Sequence, residues 1–186
     1  LDIGSSAVKA VELRPNGKGF KVGAVAIEPV PPDSIVVGAI IDGGAVAGAI
    51  RRIFARKSFK TKDVAASLSG NSVIVKKISL PVMTDAELAE SIAWEAEQYI
   101  PFDIQDVNLD YQILDNGDGG KGTMDVLLVA AKKEKIADYT GVMAQAGRQA
   151  IVVDVDAFAL QNAYELNYGV EPDAVIVLLN AGASAI

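Results

Sequence analysis

Two short loops rich in glycine and serine stand at opposite ends of this chain, and each adjoins an apolar run. The first is Asp2-Ile3-Gly4-Ser5-Ser6, with Lys9 shortly after it, and the second is Asn180-Ala181-Gly182-Ala183-Ser184. Each pattern predicts a strand that breaks into a tight turn, and the backbone N–H groups of such a turn bind phosphate oxygens. If the loops are halves of one site, the fold has to bring the two ends of the sequence together.

Composition excludes several classes of function. The 186 residues include neither cysteine nor histidine, which removes disulfides, thiol chemistry, zinc hydrolysis and Ser-His triads. The net charge of −7 argues against broad binding to nucleic acid or to an anionic membrane. We find no apolar run long enough to cross a bilayer and no signal peptide. Because the chain lacks an initiator Met and begins and ends inside motifs, we expect it to be part of a longer protein.

Hydrophobic periodicity predicts an α/β core built from both ends of the chain. Strands are expected at 1–3, 8–13, 20–27, 63–68, 151–155 and 174–179, and helices at 44–57 and 157–165. Phe20, Val22, Ala24 and Ala26 alternate along the third strand, which predicts that they share one face. The proline-rich stretch 28–33 predicts an extended connection.

The sequence pattern of residues 71–148 predicts a separate small α+β unit. A strand at 72–80 precedes a helix that begins with a capping box at Thr84 and Glu87 and is ended by Pro101. Strands at 109–114 and 124–131 pair across the glycine-rich loop 116–120. A helix at 132–146 follows, with Gly147 as its C-cap.

Several motifs resemble known families. The first loop resembles the first phosphate loop of the actin-like ATPase superfamily through Asp2, Gly4, Ser5, Ser6 and Lys9. The second loop, at residues 180–184, resembles the second phosphate loop of that superfamily. Segments 91–102, 125–133 and 153–159 resemble the PilM family, the cytoplasmic actin-like proteins of bacterial type IV pilus machines. The resemblance spans the whole chain. It implies an α/β fold, an actin/Hsp70-like ATPase half-domain with an inserted α+β subdomain of the FtsA 1C type. Residues 1–70 plus 149–186 would form core subdomain 1A, residues 71–148 would form subdomain 1C, and a C-terminal half would be absent.

The same resemblance implies a site for ATP and Mg²⁺. The residues expected to bind the nucleotide are Asp2, Gly4, Ser5, Ser6, Lys9, Asn180, Gly182 and Ser184. Asp2 would hold the metal through water, and Lys9 would contact a phosphate. Asn180 stands where the superfamily usually has an acid, so we expect ATP hydrolysis to be weak at most. Asp156 is a catalytic candidate beside Asp2, because relatives place an acid or Gln near this position to orient water; an N-cap for the following helix explains Asp156 equally well.

The resemblance also implies partners. The main one is the N-terminal cytoplasmic peptide of the inner-membrane protein PilN, and other pilus machine components and self-association are further expectations. We expect no nucleic acid, contact with the membrane only through the partner, and a location in the cytoplasm at the inner face of the inner membrane. A role in twitching motility follows from the same comparison. The peptide is expected to extend along the edge strand 72–80, between core and insert, with Lys76 facing outward. The candidate contact residues are Ile74, Lys76, Ile78 and Leu80.

Two alternatives stay open. Trp94, the sole tryptophan, fits either the buried side of an amphipathic helix or an exposed docking surface. An FtsA-like cell-division or filament protein, or a sugar-kinase-like phosphotransferase of the same superfamily, would share the phosphate loops. A kinase would also need a substrate acid and a longer second domain, and neither is visible in this sequence.

Overall fold

The computed structural model of the chain describes residues 1–56, 59–70, 73–114, 122–170 and 172–184. Two compact units emerge from it: residues 1–70 with 137–186, and residues 71–136. The boundary therefore lies at 136, whereas the sequence suggests 148. The elements in chain order are β1 (Asp2–Ile3), β2 (Ala7–Asn16), β3 (Gly19–Pro29), β4 (Ile35–Val36), β5 (Ala39–Ile40), α1 (Gly43–Ala55), β6 (Asp63–Leu68), β7 (Val73–Pro81), α2 (Asp85–Glu97), a 3₁₀ turn (Ile104–Asp106), β8 (Val107–Leu114), β9 (Thr123–Lys132), α3 (Lys133–Gln145), β10 (Gln149–Val155) and α4 (Asp156–Tyr168).

The first unit is built on β1-β2-β3, an antiparallel sheet, and on the parallel pair β6 and β10. The backbone nitrogen of Leu1 donates to the Ala65 carbonyl at 2.8 Å, so β1 lies beside β6. This order brings the start of the chain next to β6, whose parallel partner β10 leads into α4. The mixed α/β architecture is the one that the sequence predicts.

Helix α1 covers one face of β2 and β3. It begins at Asp42, whose carboxylate accepts a hydrogen bond from the Ala45 N–H at 2.9 Å. Its buried stripe is apolar, and small side chains on the strands let the helix approach closely. The residues buried on the two sides are Val46, Ala47, Ala49, Ile50 and Ile53 from α1, and Val8, Ala10, Ala24 and Ala26 from the strands.

A β-bulge changes which side chains of β3 are buried. Glu12 pairs with Ala24 but Leu13 pairs with Val22, so Gly23 is the extra residue. The insertion shifts the alternation by one position, and Phe20 and Val22 are 56% and 61% exposed while Ala24 is buried. The prediction that residues 20, 22, 24 and 26 share one face is therefore wrong, because strict alternation holds only in an unbulged strand.

The second unit has its own core. Its sheet has the order β7-β9-β8, antiparallel throughout, with α2 packed on one face. The predicted capping box of α2 is confirmed: the Thr84 hydroxyl accepts from the Glu87 N–H, and the Glu87 carboxylate accepts from the Thr84 N–H at 2.7 Å. The buried side chains are Ile78, Leu80, Leu88, Ile92, Ala96, Ile100, Val107, Met124, Val126, Leu128 and Ala130.

Three other local predictions have clear outcomes. Gly147 follows α3 with φ at +73°, a conformation suited to a C-cap. Residues 174–179 are not a strand, because they pair with no other strand in the described part of the chain. The hairpin β4–β5 is a finding that the sequence did not predict, since its two strands are too short for periodicity to detect. The predicted loop 116–120 and residue 72 lie outside the described residues.

Candidate functional site

Strand register places Asp2 and Lys9 together at the first loop. Asp2 is the cross-strand partner of Lys9 in the β1–β2 pair, and Ile3 is the partner of Val8. Directly opposite residues in an antiparallel pair have neighbouring side chains. The Lys9 ammonium donates to the Asp2 carboxylate at 2.8 Å, and both side chains are about half exposed. A carboxylate and an ammonium group are thus presented to solvent at the mouth of the turn.

Gly4 occupies a crowded position in this turn. Its N–H donates to the Ala7 carbonyl at 3.1 Å. A Cβ at Gly4 would lie 3.2 Å from that same carbonyl, and 3.9 Å from both the Asp2 carboxylate and the Lys9 ammonium. Any side chain at this position would therefore be tight against the backbone of the turn, and glycine also leaves room for a ligand. The next residues carry the hydroxyls, and the Ser6 carbonyl accepts from the Val30 N–H at 3.0 Å.

The two glycine-serine loops meet. The hydroxyls of Ser5 and Ser184 lie 2.9 Å apart and share a hydrogen bond, although 179 positions separate them in sequence. Asn180 and Gly182 are exposed in the segment that leads to this contact. The fold thus brings Ser184 of the second loop into contact with Ser5 of the first loop, which lies in the same loop as the Asp2–Lys9 pair.

Asp156 lies at the start of α4, beside strand β6. It is the first residue of the helix, while Val155 is the N-cap and makes no side-chain capping bond, so the N-cap alternative for Asp156 is wrong. The Asp156 carboxylate accepts a hydrogen bond from the Ser67 hydroxyl. The positive end of the helix dipole suits a carboxylate in this first turn. The Ser67 hydroxyl thereby restrains the Asp156 carboxylate.

Tyr139 links these groups electrostatically. Its side chain is buried, and its hydroxyl donates to the Gly38 carbonyl at 3.2 Å. Burial is the main reason why the pKa of Tyr139 is raised to about 12, and the negative charges of Asp156 and Asp2 add to it. The negative charges of both predicted catalytic carboxylates therefore disfavour ionisation of the same buried hydroxyl.

Sequence reasoning missed Ser67 and Tyr139 as members of this region. Ser67 lies in β6 opposite Asp154, a pairing that exists only once β10 has joined β6. Tyr139 has the spacing of an ordinary core residue of a helix. The one signal available in advance was the polar character of Ser67 near the end of an apolar strand.

The donor set fits a hydrated cation better than a cation held by protein alone. Among the residues that the structure describes, no cluster of three or more acidic side chains could enclose a metal ion. Mg²⁺ keeps several waters and is commonly bound by one or two carboxylates together with substrate phosphates. The exposed carboxylate of Asp2 at a loop with two serine hydroxyls has that character.

The predicted partner-binding residues divide between core and surface. Ile78 and Leu80 are buried under α2, and Ile74 is partly buried against the same core. Their side chains belong to the interior of the unit. Lys76 is exposed but shares their face, with its ammonium 5.2 Å from the centre of the Tyr99 ring. The prediction that Lys76 faces outward agrees with its exposed side chain, although alternation puts residues 74, 76, 78 and 80 on one face of the strand.

Strand β7 nevertheless offers an edge. It pairs with β9 on one side, and β7 and β8 are the outer strands of the sheet. An edge strand presents backbone N–H and C=O groups that an extended segment can use. Its outward face carries Val75, which is exposed, and Lys77, whose ammonium lies 2.5 Å from the Asp125 carboxylate.

Trp94 is exposed. Its side chain is 64% accessible on the outer side of α2, opposite the buried residues Leu88 and Ile92. Of the two interpretations of this residue, core packing is therefore wrong. No helix in the described ranges combines the length and apolar character that spanning a membrane requires.

Comparison with known proteins places this architecture in a family. The family model described as "Type IV pilus assembly protein PilM" matches residues 1–184. A solved structure described as the PilM-PilN type IV pilus biogenesis complex is similar over 89% of the chain, at 32% identity and a TM-score of 0.77. The cytoplasmic domain of EpsL, an inner membrane component of the type II secretion system of Vibrio cholerae, is similar in fold over 86%, at 16% identity and a TM-score of 0.52. The chain spans 49% and 56% of those two solved chains.

Proposed function

This chain belongs to the PilM family of type IV pilus assembly proteins, and from that premise we propose that it is an actin-like, nucleotide-binding scaffold of the pilus machine. It binds ATP with Mg²⁺ at the two glycine-serine loops and a cytoplasmic peptide of a PilN-type protein at the second unit. It works at the inner face of the inner membrane and supports pilus assembly and twitching motility. The FtsA-like and kinase-like alternatives lack comparable support, because the family model that matches is PilM.

The contact between Ser5 and Ser184 carries the nucleotide part of the proposal. A shared hydrogen bond at 2.9 Å joins the two glycine-serine loops, and Asp2 and Lys9 pair with each other at the first of these loops. Serine hydroxyls and loop N–H groups bind phosphate oxygens, the ammonium balances their charge, and Asp2 orients a hydrated Mg²⁺. The bound ATP supplies a polyphosphate that bridges the loops.

Hydrolysis is slow in this proposal. Asn180 provides an amide where a carboxylate would orient the metal, and an amide carries no charge. Asp156 is already engaged by the Ser67 hydroxyl. A missing or misplaced general base costs about 10²–10⁴-fold in rate. ATP therefore acts mainly as a structural or switching ligand.

Isothermal titration calorimetry tests nucleotide binding. ATP with Mg²⁺ should bind the wild-type protein, and the double variant Ser5→Ala, Ser184→Ala should bind about tenfold or more weakly, since it loses two hydroxyls that bond to charged oxygens. Ser91→Ala, in the second unit, is the matched control and should bind like wild type. Equal affinity in the double variant and the control would remove the loops from the site.

The proposed peptide site uses the edge of β7. An extended segment adds to an edge strand through main-chain hydrogen bonds, and side-chain contacts then give specificity. In the solved relative, the protein is described in a complex with PilN. Because Ile78 and Leu80 are buried, the available side chains on this strand are Val75, Lys76 and Lys77.

A peptide titration tests the edge. Val75→Glu should weaken binding of a labelled N-terminal peptide of the PilN-type partner, because the charge replaces an exposed apolar contact. Gln112→Glu is the matched control: it adds the same charge on β8, the opposite outer strand. The proposed edge is excluded if both variants bind the peptide as wild type does.

A further inference from the structure

The groups proposed to bind the cation and the phosphates are bonded to one another in this structure. The Lys9 ammonium lies 2.8 Å from the Asp2 carboxylate. The Ser5 and Ser184 hydroxyls lie 2.9 Å apart. A cation needs the carboxylate, and a polyphosphate needs the ammonium and the hydroxyls. Each incoming ligand must therefore displace a partner that carries the same sign of charge: a cation displaces the Lys9 ammonium from Asp2, and a phosphate displaces the Asp2 carboxylate from Lys9.

The Asp2–Lys9 contact is a product of the fold. The two residues are direct cross-strand partners in the β1–β2 pair, so register sets their separation. Gly4, in the turn, lies close to both side chains, because a Cβ at Gly4 would be 3.9 Å from each of the two charged groups. A phosphate bound to the N–H groups of this turn would thus approach the pair itself.

We propose that the Asp2–Lys9 pair makes cation binding and polyphosphate binding depend on each other, an inference that rests on the nucleotide function proposed above. A cation at Asp2 releases the Lys9 ammonium for a phosphate. A phosphate at Lys9 releases the Asp2 carboxylate for the cation. Coupling between two ligands is reciprocal, so each raises the affinity of the other by the same factor.

The expected coupling is modest. Both side chains are about half exposed, at 55% for Asp2 and 51% for Lys9. Exposed pairs of this kind have small interaction energies, which correspond to a change of about two- to fivefold in affinity. The pair consequently changes the relative affinities of the site for metal-bound and metal-free nucleotide by a small factor, and it does not prevent either from binding.

A double-mutant cycle measured with metal-free nucleotide tests the inference. ATP is titrated in EDTA into wild type, Asp2→Asn, Lys9→Gln and the double variant. Asp2→Asn should bind metal-free ATP more tightly than wild type, because it frees Lys9. Simple repulsion between Asp2 and phosphate predicts the same gain whether or not Lys9 is present. The pair predicts a gain about two- to fivefold larger in the background that retains Lys9. Equal gains in the two backgrounds overturn the inference.

A second measurement needs no nucleotide. Mn²⁺ alone is titrated by electron paramagnetic resonance into wild type, Lys9→Gln and Lys21→Gln, where the last variant removes the same charge from β3. Lys9→Gln should bind Mn²⁺ about two- to fivefold more tightly than the Lys21→Gln control. Identical Mn²⁺ affinities overturn the inference even if ATP binds. Failure of wild type to bind ATP in the presence of Mg²⁺ would instead overturn the proposed function.

Discussion

Val37 sits at the tip of the β4–β5 hairpin in a conformation that disfavours a branched side chain. Val36 pairs with Ala39, so Val37 and Gly38 form a two-residue turn, and their φ angles are +48° and +74°. Positive φ at both central residues defines a type I′ turn, which favours Asn-Gly. Val37 is 78% exposed, so packing does not offset the strain. Val37 therefore combines a strained backbone conformation with a solvent-exposed apolar side chain.

Val37→Asn should stabilise the protein. Asparagine tolerates the left-handed conformation that costs a branched residue about 1–2 kcal/mol, so a gain of about 1 kcal/mol is expected. Urea unfolding followed by circular dichroism measures it. Val36→Asn, the same substitution at an ordinary φ on the adjacent position, is the control and should not stabilise. A loss of stability in Val37→Asn would show that the valine makes contacts worth more than the strain.

Tyr139 should ionise only at high pH. Its pKa is raised to about 12, mainly by burial and also by the charges of Asp156 and Asp2. Because the pKa of Tyr139 in the folded protein lies above the unfolded value of 10.0, the folded protein loses stability as pH rises from 10 to about 12. Tyr139→Phe should therefore remove one tyrosinate step near pH 12 from the absorbance titration. It should also lessen alkaline destabilisation between pH 10 and 12. An unchanged titration curve would contradict the assignment.

At the scale of elements, Glu28 ties the end of α1 to β3. Its carboxylate accepts from Arg52 at 2.6 Å and from Arg56 at 2.7 Å, and only 15% of the Glu28 side chain is exposed. The hydrogen bond from Arg52 is the main cause of the lowered pKa of Glu28. The helix is thus joined to the sheet by its buried apolar stripe and by an ionic contact at its C-terminal end.

The contribution of Glu28 should depend on pH. A lowered folded pKa means that the stabilisation is complete above the unfolded value of 4.5 and is lost as pH falls through the folded value. Glu28→Gln should accordingly unfold at lower urea concentration than wild type at pH 7, and the difference should shrink as pH falls below 4.5. Glu90→Gln, on the exposed face of α2, controls for the charge. If the difference in urea concentration at unfolding between Glu28→Gln and wild type stays constant as pH falls, the stabilisation by Glu28 does not depend on its ionisation.

For the molecule as a whole, stability resides in two separate apolar cores. Leu88 is fully buried in the core of the second unit, and Ile50 is fully buried in the core of the first. Each occupies a site where removal of side-chain atoms leaves a cavity. The two cores can therefore be probed individually.

Leu88→Ala should lower the free energy of unfolding of its unit by about 2–5 kcal/mol. Hydrogen exchange resolved by residue should show the loss of protection in α2, β7 and β9. Ile50→Ala is the counterpart and should act on α1, β2 and β3. Ala93→Gly, exposed on α2, controls for backbone effects and should cost about 1 kcal/mol. Protection in α2 that is equal in wild type and Leu88→Ala would contradict the packing described.

The sequence by itself determined the local elements, the candidate loops and the family resemblance. The capping box at Thr84, the turn at Gly147 and strand β6 depend on residues near each other in the chain, so pattern alone predicts them. The resemblance to the PilM family rests on such local motifs and is confirmed by the family match.

Only the tertiary structure decided which residues meet. The Ser5–Ser184 contact, the pairing of Asp156 with Ser67 and the convergence of charge on Tyr139 join distant parts of the chain. The bulge at Gly23 arises from how β2 and β3 pair, and it reverses the burial that alternation predicts for Phe20 and Val22. Register is a property of two strands together, and local periodicity contains no information about the second strand.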